Sequence, residues 1–344
     1  MEKSMTIHRI SIEGNTCEFQ QEDQDTVLRA ALRAGVGFPY ECNSGGCGSC
    51  KFDLIEGAIE NLWPEAPGLT ERDRRKNYLL ACQCRATSDL HIKMRPAQEY
   101  VPPITPQRRK ATFIGAVDLT HDIREFRFGT EGEADFLPGQ YATLTIPGIA
   151  SPRAYSMSNL ANVQGEWHFQ IRRVPSGKAT ERLFHKLAMG DEVEIDGPYG
   201  LAWLREDNPR DIACVAGGSG LAPMISIARG ASAAGLLKTR NLHFFYGART
   251  PRDICGDSLL RQLPEFGKRI HFHPVVSLPE QDPGEIWTGE TGYVHDLVRS
   301  ELHDRITDIE FYFAGPPPMT QALQEMLMVG YRVPFDQVHF DRFF

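Results

Sequence analysis

Long hydrophobic runs are missing from this chain. Nowhere do about 18 apolar residues follow one another, so no transmembrane helix is expected. The opening stretch, MEKSMTIHRISIEG, has none of the apolar core of a secretion signal. Basic excess is missing as well. The 37 Lys and Arg against 45 Asp and Glu leave a formal charge of −8, whereas a nucleic-acid binder shows a basic face. There is no internal repeat, no low-complexity tract, no HExxH motif and no G-x-G-x-x-G dinucleotide fingerprint. What remains is a folded chain of ordinary proportions, 41% hydrophobic and 24% charged. Its 344 residues are enough for two or three domains. A cytoplasmic protein is expected, bound to neither nucleic acid nor membrane.

The eight cysteines are unevenly spread, and a cytoplasmic chain does not use such a set as a disulfide framework. Cys42, Cys47 and Cys50 stand in ECNSGGCGSCK at the spacing C-x4-C-x2-C, and YLLACQC follows with Cys82 and Cys84. That is the plant-type spacing for a [2Fe–2S] cluster. Gly45, Gly46 and Gly48 allow a tight loop with its N–H groups aimed at the sulfurs. Cys82 is expected as the fourth ligand, with Cys84 in reserve. Zinc also takes four thiolates, but structural zinc sites bring paired C-x2-C units, and the second half here is C-x-C. Cys17, Cys214 and Cys255 have no partners in their contexts and read as small core residues.

Three blocks are expected. Residues 1–97 read as a small α+β module: TIHRISIEGNTCEF alternates around a Gly-Asn turn, and Asp25 or Thr26 caps a helix stopped by Gly35. Residues 98–107 form a proline-bearing linker. Residues 108–206 carry short strands broken by Gly and Pro, which suggests an antiparallel barrel with one helix over ATERLFHKLAMG. From 207 to 344, strand-like IACVAGG, LHFFYGAR, IHFHPVVS, EFYFAGPP and VHFDRFF alternate with stretches of helical length, an α/β nucleotide-binding pattern.

The second block contains RAYSMSN at 153–159, preceded by FLPGQY and followed by DGPYG. RAYS resembles the R-x-Y-[ST] flavin motif of the ferredoxin–NADP reductase family. The resemblance implies that Arg153 pairs with the FAD pyrophosphate, that Tyr155 packs on the isoalloxazine, and that Ser156 hydrogen-bonds near N5. It extends the flavin set to Ala154, Arg172 and Val174. It also implies a phosphate-binding turn in VPSGKAT, where Gly177, Lys178, Ala179 and Thr180 offer backbone donors and a hydroxyl at a helix N-terminus. Many relatives have Gly-Gly and a final Ser in this turn; Ser176 and Thr180 are departures.

CVAGGSGLAPM in the third block matches that family's GG-[ST]-G-x-AP nucleotide loop. The resemblance implies that Gly217, Gly218, Ser219 and Gly220 bring the backbone to the pyrophosphate, with Pro223 starting the helix. Arg249 and Asp253 in GARTPRD, and Gly315, Pro316 and Met319 in AGPPPM, complete the NADH-binding set it implies. Ala314 stands where relatives usually carry Cys. The chain ends in HFDRFF, and Phe343 or Phe344 is expected to cover the flavin face, against a plain core role for both.

The resemblance covers essentially the whole chain in the order of ferredoxin, flavin and nucleotide domains, as in reductase components of bacterial multicomponent aromatic oxygenases. CNSGGCGSCK, NLWPEAPGL, LACQC and HFDRFF look most like reductases of di-iron toluene monooxygenases. It implies a β-grasp-type ferredoxin module, FAD and [2Fe–2S] cofactors, NADH as donor, and a Rieske-type ferredoxin or oxygenase hydroxylase component as acceptor. A monomer is expected. Service to a Rieske dioxygenase, a P450 or a deoxysugar pathway is the alternative, as is a zinc-anchored or redox-sensing module outside enzymology.

Overall fold

The computed structural model describes residues 7–22, 24–281, 284 and 286–342. Phe343 and Phe344 lie outside the described residues, so the expected flavin cover does too. The chain divides into two compact units. The first comprises Met1–Arg108 with Asp196–Tyr199, the second Arg109–Ile195 with Gly200–Phe344.

In the first unit, β1 (Ile7–Ile12) and β2 (Glu18–Glu22) form the expected hairpin, with Gly14 in the left-handed region at φ +70°. Their alternating burial puts Ile10, Ile12 and Phe19 into the core. Helix α1 (Val27–Arg33) follows, and Thr26 is its cap, accepting from the Arg29 N–H. Asp25, the other candidate, spends its carboxylate on ion pairs instead. After the cysteine loop come β3 (Lys51–Glu56), β4 (Ile59–Asn61), α2 (Glu71–Arg75), β5 (Leu79–Leu80), β6 (Cys84–Ala86) and β7 (Leu90–Lys93). The strands assemble as a five-stranded sheet in the order β2-β1-β7-β3-β5, with β1 and β7 parallel, and a small pair β4-β6.

The flavin-type block is a six-stranded sheet in the order β11-β10-β13-β8-β9-β12. It is built from β8 (Gln107–Asp118), β9 (Ile123–Thr130), β10 (Tyr141–Thr145), β11 (Arg153–Ser156), β12 (Glu166–Arg172) and β13 (Glu192–Tyr199). A bridge from Met157 to Phe169 joins the two edges and closes the barrel. Trp167, Phe126, Phe128, Phe136 and Phe169 fill the inside. Helix α3 is shorter than the sequence suggests, Lys178–His185. The remainder of ATERLFHKLAMG is a turn: the Asp191 carboxylate accepts from the Ala188 N–H, and Gly190 is left-handed at φ +90°.

The third block is a parallel sheet ordered β17-β16-β15-β14-β18-β19. Its strands are β14 (Asp211–Gly217), β15 (Leu242–Ala248), β16 (Ile270–Val276), β17 (Glu290–Thr291), β18 (Ile309–Gly315) and β19 (Val338–Arg342). Helices α4 (Leu221–Ala233), α5 (Asp257–Leu260), α6 (Val294–Leu302) and α7 (Pro317–Gln324) connect them, and apolar cores lie on both faces. Strand order reverses at β14. The crevice beyond the carboxyl ends of β14 and β18 is therefore where such a sheet binds ligands. No helix among the described residues is long and apolar enough to cross a membrane.

Candidate functional site

The cysteine loop is held shut by its glycines. Gly48 is left-handed at φ +78°, and a side chain there would meet the Gly68 carbonyl at 2.3 Å. Gly68 N–H in turn donates to Gly45 O at 2.9 Å. The closed loop gathers the thiols: Cys42 meets Cys47, and Cys50 meets Cys82. N–H donors point at the sulfurs, Cys47 N to Cys42 Sγ and Ser49 N to Cys47 Sγ at 3.4 Å each, with Gln83 Nε2 at 3.5 Å from Cys82 Sγ. The contact with the Cys47 thiol, reinforced by donors from Ser44, holds the Cys42 thiol down to about 5; the same contact and burial raise Cys47. Cys84 is fully buried on β6, and burial pushes its thiol up to about 12. The loop's Asn43 is 3% exposed and its Nδ2 has no hydrogen-bond partner among the described residues. A buried donor left over beside four gathered thiols suits a sulfide-bearing group.

On the barrel, Ala154, Tyr155 and Ser156 pair across from Thr143, Ala142 and Tyr141 on β10. Arg153 is exposed at the strand start, its Nη1 bonded to Ser151 Oγ at 2.6 Å. Ser176 at φ +60° turns the chain into Gly177, the N-cap of α3. A side chain on Gly177 would lie 2.8 Å from Thr180 Oγ1. The Thr180 hydroxyl is turned back onto this loop, accepting from Val174 N at 3.2 Å and lying 3.1 Å from Gly177 O. The helix start leaves the N–H groups of Lys178, Ala179 and Thr180 without intrahelical acceptors. It offers backbone donors to an anion, while the hydroxyl shapes the turn.

In the nucleotide crevice, Gly217–Gly220 form a tight turn from β14 into α4. A side chain on Gly220 would fall 1.9 Å from the Ala314 carbonyl oxygen, so only glycine fits. Met319 on α7 packs against Gly217, whose added side chain would meet its sulfur at 2.7 Å, and Met319 N–H bonds Pro316 O. The Gly217–Gly220 and Gly315–Met319 loops therefore lie side by side. Pro223 does not start the helix; Leu221 does, and Pro223 sits in the first turn, where a missing N–H costs no intrahelical bond. Arg249 is exposed beyond β15. The Asp253 carboxylate is taken up in a capping box with Thr250, accepting from its N–H at 2.9 Å and its hydroxyl at 2.7 Å.

Barrel and nucleotide sheet meet within the second unit. Arg229 and Ser226 on α4 donate to Ser158 O and Asn159 O just beyond β11. Gly218 faces Arg172, with an added side chain 3.3 Å from its Nη1. Arg172 is itself oriented by Asp122 at 2.6 Å. Residues expected for flavin and for nicotinamide are thus brought together. Asp122, Ser44, Asn43 and Gln83 went unnoticed in the sequence because their partners are distant in the chain or lie at unremarkable spacing.

Three family models match in this order: the 2Fe-2S iron-sulfur cluster binding domain over residues 10–87, the oxidoreductase FAD-binding domain over 110–203, and the oxidoreductase NAD-binding domain over 214–325. The ferredoxin–NAD(P)(+) reductase CarAd of Metapseudomonas resinovorans is 42% identical, over 93% of this chain and 94% of that one. The chain belongs to the ferredoxin–NAD(P)+ reductases. The ferredoxin–NAD(+) reductase component of the alkene monooxygenase system of Xanthobacter autotrophicus is 40% identical to this reductase, over 94% of this chain and 97% of its own. A solved ferredoxin reductase of carbazole 1,9a-dioxygenase superposes with a TM-score of 0.89 at 36% identity, covering 99% of this reductase and 100% of that chain. The reductase is therefore an electron-transfer oxidoreductase with [2Fe–2S], FAD and NAD domains, as its sequence leads one to expect.

Proposed function

We propose that this reductase takes hydride from NADH and delivers single electrons to a Rieske-type ferredoxin or to the hydroxylase component of a di-iron, toluene-type monooxygenase. The observation that carries this reading is the three cofactor domains in one order on one chain, matched nearly end to end by reductases named for a carbazole dioxygenase and an alkene monooxygenase system. When bound, FAD accepts an electron pair and releases single electrons, the form in which a [2Fe–2S] cluster takes them.

The residues divide the work. Cys42, Cys47, Cys50 and Cys82 hold the cluster, and the N–H groups of Cys47 and Ser49 with Gln83 Nε2 bond its ligand sulfurs. Arg153, Lys178 and the open N–H groups of α3 hold the FAD phosphates, Arg153 as a planar fork suited to them. Ala154, Tyr155, Ser156, Arg172 and Val174 hold the rest of FAD. Gly217, Gly218, Ser219 and Gly220 admit the NADH pyrophosphate beside Gly315, Pro316 and Met319. Asp253 acts there by fixing the turn that carries Arg249. The modules run 1–97, 108–206 and 207–344 with a linker at 98–107, and the protein works as a cytoplasmic monomer.

An anaerobic titration of the purified protein with NADH and then NADPH tests this, followed by visible absorption and low-temperature EPR. Flavin bleaching with the rhombic signal of a reduced [2Fe–2S] cluster at stoichiometric NADH is expected. Bleaching without that signal, or a strong preference for NADPH, overturns the reading.

A further inference from the structure

The first unit holds a buried ion network that none of the roles above uses. Helix α1 sets Arg29 and Arg33 one turn apart on the same face. Asp25 and Asp196, 3% and 1% exposed, lie before them. Arg33 reaches both, at 3.0 Å and 2.8 Å, Arg108 also pairs with Asp25, and the Tyr199 hydroxyl donates to Asp196 at 3.0 Å. Arg29 is different. It is 7% exposed, and its nearest carboxylate, Asp196 at 3.7 Å, already takes two short bonds from Arg33. Its Nε instead donates to Asn43 Oδ1 at 3.4 Å.

Asn43 stands between Cys42 and Ser44, in the left-handed region at φ +50°, a backbone shape that Asn tolerates better than most residues. Its oxygen is engaged by Arg29, and its buried Nδ2 has no partner among the described residues. The side chain thus links a buried guanidinium to the corner of the loop that carries Cys42. Taking a charge out of water is costly unless opposite charge lies near. A cluster held by four thiolates is anionic and gains one more negative charge on reduction.

We infer that Arg29 is a positioning residue for the iron–sulfur centre: through Asn43 it fixes the Cys42–Ser44 corner and stations a permanent positive charge behind it, favouring the reduced cluster. This rests on the four-cysteine reading given above. Arg29 touches neither donor nor acceptor; it acts through the loop.

The test uses full-length holoprotein with Arg29→Met, Arg29→Lys and Asn43→Gly, the last keeping the positive φ while removing the amide. Iron and acid-labile sulfide content, EPR g-values of the dithionite-reduced protein and the cluster midpoint potential are read for each. Arg29→Met is expected to move the midpoint to more negative potential, alter the g-values and slow cluster reduction by NADH about ten-fold. Arg29→Lys keeps the charge and recovers much of the potential but not the g-values. Asn43→Gly changes the g-values with a smaller shift in potential. Arg29→Met with wild-type potential and g-values at full iron content overturns the inference. Equal iron loss in Arg29→Met and Arg29→Lys, with the surviving clusters unshifted, also overturns it, since that is a purely structural role. Cys42→Ser separates the two readings: if it keeps a normal [2Fe–2S] signal, the ligand set fails, whatever Arg29 does.

Discussion

At the scale of single residues, the choice between Cys82 and Cys84 is the clearest question. The sequence favours Cys82 and keeps Cys84 in reserve; in the fold Cys82 lies against Cys50, whereas Cys84 is buried on β6. Cys82→Ser is expected to lose most cluster iron, measured by metal analysis and EPR, and Cys84→Ser to retain it at a small cost in stability. An empty cluster site in Cys84→Ser and a full one in Cys82→Ser would falsify the assignment. The glycine positions and loop cysteines were legible because each has a strong, local chemical requirement. Asp253 was not, since a carboxylate three residues after a threonine reads equally as ligand contact or cap. Arg29 and Asn43 were invisible, because their link spans the loop and exists only once α1 has folded against it.

At the scale of elements, the start of α3 is the turn on which the proposed FAD-phosphate site rests. The Thr180 hydroxyl satisfies the Val174 N–H and holds Gly177 in place, so the helix start is fixed with its own N–H groups open. Thr180→Val removes the clasp and strands the Val174 donor. A loss of about 1 kcal/mol is expected for such a bond, which corresponds to roughly five-fold weaker FAD retention. The FAD dissociation constant, followed by flavin fluorescence, measures it; unchanged binding would return the hydroxyl to a passive role. The parallel sheet of the nucleotide block could be anticipated from alternating strand-like and helical stretches, though not its strand order. The end of α3 could not, because LAMG is apolar enough to continue a helix, and the Asp191–Ala188 turn that stops it depends on β13 beginning there.

At the scale of the whole molecule, one source of acid sensitivity lies in the nucleotide sheet. His243 on β15 stacks on His271 and His273 of β16, with its Nδ1 3.2 Å from His273 Nε2 and Arg305 at 3.2 Å from its other nitrogen. Burial, then the neighbouring His273, His271 and Arg305, push its imidazole down to about 4; only Asp211 opposes. The unfolded chain binds this proton near 6.5, the folded one near 4, so between these values the unfolded state holds more protons. Stability is therefore complete above about pH 6.5 and lost progressively as pH falls toward 4. Thermal unfolding from pH 7.5 to 4.5 should show a falling Tm, with a shallower slope in His243→Gln. A Tm independent of pH across that window would count against the stacked imidazoles as its cause. The three-module plan was readable from motif order along the chain, but the grouping of Asp196–Tyr199 with the first unit was not, because those residues arrive from almost ninety positions further along.

That grouping bears on whether the iron–sulfur module is a transplantable cassette. A fragment cut after Arg108 keeps every cluster cysteine yet leaves behind Asp196, the carboxylate on which Arg33 makes two short bonds and near which Arg29 is buried. Such a fragment leaves Arg29 buried without its nearest carboxylate and Arg33 with Asp25 alone. It should refold with less iron and a lower melting point than the same residues in the intact chain, and a graft onto another reductase should succeed only where the host supplies an acid in that place.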